Sequence, residues 1–118
     1  ADQGRRVYPV GAEVARRRIT LEVCPSSNVA TRAVASLEEH PLVTFVEAGV
    51  PVSINSDDPH MFGTTLSGEY AIAARLLDLN EAGVARLARE SMRASFAPDD
   101  VKRAMLTEID AHEAAATI

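Results

Sequence analysis

The spacing of apolar and polar positions changes its period several times along the chain. Residues 10–18 set Val14 and Ala15 on one side and the arginines Arg16, Arg17 and Arg18 on the other, the pattern of a helix with a solvated basic face. "ITLEVC", Ile19 to Cys24, is rich in β-branched residues and stops at Pro25, which predicts a strand. "PSSN" then predicts a turn. After an irregular stretch, residues 40–48 predict a short helix that begins near Pro41 and ends at Gly49, where a glycine just past the last turn is favoured. "VPVSIN", Val50 to Asn55, predicts a second strand. Leu66, Tyr70, Ala73 or Ala74, and Leu77 recur at helical spacing. Asn80 is placed to cap a further helix carrying Val84, Leu87, Ala88 and Met92. Pro98 and Asp99 open a last helix with Val101, Met105 and Ile109 on one face, and "AHEAAATI" reads as its fraying tail.

Two strands separated by more than twenty residues that contain a helix form a βαβ unit, which implies parallel pairing and an α/β class. Parallel sheets are covered on both faces, so two strands call for several more. No internal repeat, low-complexity tract or Gly/Ser linker divides the chain. Its first residue is Ala1 rather than methionine, which adds to the expectation of a longer parent protein.

Composition narrows the partner. A length of 118 residues, an apolar fraction of 47% and a formal net charge of −5 describe one globular domain without the basic surface that nucleic acid requires. Aromatic residues are 4% of the chain and tryptophan is absent, so base stacking on exposed rings is poorly supported. One cysteine, Cys24, excludes an internal disulfide framework, and no signal-like leader or spanning apolar run is present, so a cytoplasmic setting is the default and no membrane is implied. A small-molecule site fits this balance better.

The chemistry concentrates where the second strand ends. Asp57 and Asp58 follow "VSIN" directly, and in parallel α/β folds ligands bind at the carboxyl ends of the strands, where "CPSSN" also falls. Adjacent residues leaving a strand point in different directions, so one carboxylate can bind a metal while its neighbour addresses substrate. Both stay ionised if a cation is present; without one, two neighbouring buried acids raise at least one pKa. On local evidence alone, a solvated turn that caps the next element accounts for Asp57-Asp58-Pro59 better than a site does. A calcium loop does not: counted from Asp58, Gly63 and Glu69 fall at the sixth and twelfth positions, but His60, Phe62 and Leu66 occupy places that need oxygen ligands.

Taken together, "LEVCPSSNVATRAV", "EEHPL", "AGVPVSINSDDPHMFGTTLSGEY" and "SMRASF" resemble, in order and spacing, the C-terminal third of the adenosine deaminase family of metal-dependent aminopurine hydrolases. The resemblance covers about Ile19 to Pro98, and the combination of "CPSSN", "SDDP" and "FGTTL" is its specific part. It implies the C-terminal part of a (β/α)8 TIM-type barrel, with "ITLEVC" and "VSIN" as the seventh and eighth strands and residues 1–118 as one fragment of a single barrel domain. It implies that Asp57 is a zinc ligand and that Asp58 hydrogen-bonds the five-membered ring of the purine. The implied reaction adds metal-activated water to C6 of a 6-aminopurine nucleoside, adenosine to inosine, and releases ammonia; adenine or an adenosine-like metabolite such as aminodeoxyfutalosine are the alternatives. The Cys-rich ligand signature of the other zinc nucleobase deaminases is missing.

The family also brings an His-x-His pair, a further ligand His with a nearby Glu, and a catalytic His, none of which this chain carries. The family's His-Gly motif would lie just before Ala1. The 118-residue chain is therefore expected neither to hold zinc tightly nor to deaminate, and a non-catalytic remnant or interaction module, self-associating through exposed strand edges, is the competing expectation. His40 reads as structural at a helix entry, His60 as a neighbour of the rim with no ligand role implied, and His112 as solvated. Cys24 reads as a small core residue rather than a nucleophile, and Phe62, Leu66 and Tyr70 as core packing near the site.

Overall fold

The computed structural model describes residues 8–116; Ala1 and the last two residues of the expected tail lie outside the described residues. The first helix, α1 (Tyr8–Arg16), ends two residues short of the expected Arg18; Arg16 on it and Arg17 and Arg18 in the turn after it are exposed, and Glu13 pairs with Arg16 and Arg17 at 2.6 and 2.7 Å. Both pairs are exposed and contribute little to stability.

Strands β1 (Leu21–Val23) and β2 (Val52–Ile54) pair in parallel, with Leu21 opposite Val52, Glu22 opposite Ser53 and Val23 opposite Ile54. Each is shorter than its apolar run. The run's first residue, Ile19, is 47% exposed. The ladder is closed at its ends by Leu21 N–H donating to Pro51 C=O and Asn55 N–H donating to Val23 C=O. On the outer side of β2, Ile54 N–H donates to the Ser91 hydroxyl at 3.3 Å, which occupies a backbone donor on the edge where self-association was expected.

The crossover holds two helices rather than one. α2 (Pro25–Ala30) replaces the turn expected at "PSSN". Pro25 stands at the first helical position, where its missing N–H has no intrahelical partner to lose, and Cys24 C=O accepts from Asn28 N–H. Small polar residues after a proline serve a helix's first turn as readily as a loop. α3 (Leu42–Glu47) then ends before Gly49, whose φ of 79° is a left-handed value open to glycine.

Beyond β2 come α4 (Pro59–Phe62), α5 (Leu66–Leu77), α6 (Glu81–Ala94) and α7 (Asp99–Ala116). Asn80 caps α6 as its position predicts, its Oδ1 accepting from Gly83 N–H at 2.9 Å. The core is Val23, Leu42, Val52, Ile54, Ala73 and Leu87, with Tyr70 packed against it as expected. Leu66 is not core: it is 51% exposed, because the inward face of α5 is centred on Glu69 and Ala73. Of the expected face of α7, Met105 and Ile109 are partly buried while Val101 is 41% exposed; the helix docks on α6, with Arg89 of α6 ion-paired to Asp110 and Glu113. Among the described residues no helix is long and apolar enough to cross a membrane.

Candidate functional site

β1 and β2 run in the same direction, so both deliver their carboxyl ends to one rim. There Cys24 leads into α2, and Asn55, Ser56 and Asp57 leave β2. A cleft of about 1030 Å³ opens beside them, lined by these four residues and walled by Tyr70 of α5 and Met92 of α6. That is at the upper end of the roughly 300–1,000 Å³ usual for small-molecule sites.

The two aspartates separate at once. Asp57 adopts a left-handed φ of 56°, a conformation that costs a non-glycine residue about 1–2 kcal/mol and that aspartate tolerates better than most. The reversal carries its carboxylate across to α2, where Ser27 Oγ donates to Asp57 Oδ2 at 2.7 Å. Asp58 returns to an extended backbone and turns forward: its Oδ1 accepts from Met61 N–H at 2.9 Å and caps α4. The capping role open to the pair falls on Asp58 alone. Both carboxylates are exposed; Asp57 lines the cleft and Asp58 lies outside the lining.

A third carboxylate supports this rim. Glu69 has no exposed surface, and its Oε1 and Oε2 accept from the backbone N–H and the hydroxyl of Ser26 at 3.0 and 2.9 Å. A buried charge is tolerated only when such donors meet it. Sequence reasoning reaches Glu69 only as one position of a rejected calcium loop; the available signal was an acid on the apolar side of α5, one turn before Ala73.

His40 holds α2 from the other side. It is buried, Leu42 N–H donates to its Nδ1 at 3.1 Å, and its Nε2 lies 2.9 Å from Asn28 Oδ1. Nδ1 is thus the acceptor, so the proton sits on Nε2 and the ring is neutral. Burial depresses its pKa. A base whose folded pKa is depressed contributes stability that is complete above its unfolded value, about 6.5, and is lost as pH falls toward the folded value. Urea unfolding between pH 7.5 and 5.5 is expected to show a fall in stability that is shallower, by at most one proton's linkage, in His40→Gln. Equal slopes in the two proteins would remove His40 from the pH response.

Cys24 is half-buried at the rim rather than part of the core. Burial pushes its thiol pKa up, the charges of Asp57, Glu22 and Glu69 push it further, and the Asp57 backbone N–H acts the other way. The thiol stays protonated near neutrality, in keeping with the non-nucleophilic reading. His60 and His112 are exposed. Among the described residues no group of three or more His, Cys, Asp or Glu is assembled to hold a metal ion. Asp57 is one oxygen donor of the kind zinc accepts, and a zinc site needs further ligands beside it.

Comparison with known proteins supplies the context. The family model described as adenosine deaminase matches residues 10–112. An aminodeoxyfutalosine deaminase of Streptomyces coelicolor is 60% identical over 104 residues, 88% of this chain and 27% of that protein. The solved adenine deaminase of Arthrobacter aurescens superposes with a TM-score of 0.79 at 36% identity, over 86% of this chain and 31% of its own. The Arabidopsis ADAL protein complexed with IMP superposes with a TM-score of 0.81 at 32% identity, over 86% and 30%. The chain thus spans little more than a quarter of the length of the curated relative it matches. Its parallel strands and flanking helices are the C-terminal part of a (β/α)8 barrel. With the family model matching most of its length and the relatives agreeing, the chain belongs to the adenosine deaminase family.

Proposed function

We propose that this chain is the C-terminal portion of a zinc-dependent hydrolase that deaminates a 6-aminopurine nucleoside, with aminodeoxyfutalosine as its substrate ahead of adenosine and adenine. One observation carries the choice. Identity to the Streptomyces aminodeoxyfutalosine deaminase is 60%, against 36% to the Arthrobacter adenine deaminase, over nearly the same share of the chain. In the net reaction water adds its oxygen to C6, the C6–N bond breaks and the amino group leaves as ammonia. A bound zinc supplies an acidified water and polarises the reacting centre.

This chain's own part is to bind and orient. Asp57 contributes one metal ligand at the rim, held there by Ser27. Asp58, with one oxygen committed to the cap of α4, keeps Oδ2 for the purine's five-membered ring. The cleft beside Asp57 offers an apolar wall for the base through Tyr70 and Met92. The remaining ligands and the acid/base groups belong to the preceding part of the barrel, and the setting is cytoplasmic.

The test offers aminodeoxyfutalosine, adenosine and adenine to the zinc-loaded full-length protein, with ammonia release as the readout. The expected kcat/KM for aminodeoxyfutalosine exceeds that for each of the others by about tenfold or more. Faster turnover of adenine overturns the substrate choice, and no release from any of the three overturns the reaction class. The 118-residue chain is expected to release no ammonia, and chelator-sensitive activity from it would refute the assignment of the other ligands elsewhere.

A further inference from the structure

Three hydrogen bonds form a continuous path from the interior to the rim. Glu69 on α5 has no exposed surface, and both of its carboxylate oxygens are committed to Ser26, one to the backbone N–H and one to the hydroxyl. The next residue, Ser27, is itself buried at 4% exposure and donates its hydroxyl to Asp57 Oδ2. Asp57 sits in a left-handed conformation that the backbone does not prefer, so its carboxylate direction depends on what holds it from outside. Packing alone does not require this arrangement. An apolar residue at position 69 would fill the space without the desolvation of a charge, and a buried carboxylate is retained at a cost that its hydrogen bonds must offset.

We propose that Glu69 and Ser27 are positioning residues for the metal end of the site: Glu69 locks the first turn of α2 through Ser26, and the locked turn holds Asp57 Oδ2 so that Oδ1 is turned to the metal. The inference rests on the assignment of Asp57 as a ligand and deepens it. Ser27 is then the partner that orients a metal-bound carboxylate, and Glu69 acts one step further back. Partners of this kind usually change metal affinity by about 10–100-fold when removed. Neither residue touches substrate in this scheme, so the substrate KM is left where it was while kcat falls with metal occupancy.

The experiment uses the full-length protein substituted with cobalt(II) or zinc and the variants Ser27→Ala, Ser26→Ala and Glu69→Gln. Metal affinity is read by competition with a chromophoric chelator, ligand geometry by the cobalt absorption bands, and fold by thermal unfolding. Ser27→Ala is expected to weaken metal binding by about 10–100-fold and to shift the cobalt bands, with KM and the thermal midpoint of the metal-free protein held. Glu69→Gln is expected to move affinity and bands in the same direction by about tenfold, because an amide presents donors where Ser26 already donates. If Glu69→Gln does not fold, Ser26→Ala, which removes only the hydroxyl end of the clamp, is expected to give the same shift. Wild-type affinity and bands in Ser27→Ala and in Ser26→Ala overturn the proposal while leaving the function standing. Absence of metal binding in the wild type overturns both.

Discussion

Replacing Asp57 by alanine in the full-length protein is expected to remove metal retention and to lower kcat/KM by more than the roughly 10²–10³-fold that loss of a single oxyanion donor costs. Asp57 is the carboxylate of the pair that lines the cleft, and the turn that places it there is a left-handed one at φ 56°. Alanine tolerates that conformation worse than aspartate, so the substitution lowers stability as well. Asp57→Gly separates the two effects. Glycine accepts a positive φ freely, so this variant is expected to lose activity to the same extent while its urea midpoint stays at or above that of Asp57→Ala. Activity within tenfold of wild type in the glycine variant would take Asp57 out of the metal site.

The second large effect is on folding. Leu42→Ala is expected to cost about 3–5 kcal/mol, against a total of about 5–15 kcal/mol for a domain. Leu42 has no exposed surface and belongs to a core of only a few side chains, together with Val23 of β1 and Val52 and Ile54 of β2. It follows directly on the His40–Asn28 link, so the backbone has little freedom to collapse into the space left behind. Urea unfolding checks it: a loss of less than about 1 kcal/mol would mean that α3 shifts to fill the cavity.

Periodicity identified the elements that depend on neighbours in sequence. The parallel strand pair, the Asn80 cap and the crossover all stand where alternation, capping chemistry and loop length put them. What escaped depends on partners far along the chain. A glutamate on a helix reads as solvated, and only Ser26, 43 residues earlier, turns Glu69 into an interior group. "PSSN" reads as a turn because proline, serine and asparagine serve turns and first helical turns alike, and the choice of α2 rests on Glu69 and His40 holding it from two sides. Asp57 and Asp58 are indistinguishable as letters. The sign of one φ angle divides their work.

The long reach of the rim contacts also sets an order in time. Ser27 and Asp57 are 30 residues apart and Ser26 and Glu69 are 43 apart, so both links close large loops and follow the local helices in folding. On the ribosome the first link becomes available when Asp57 emerges, but α2 gains its clamp only after Glu69 has left the exit tunnel. Until then the acidic rim is present in sequence and unassembled in space.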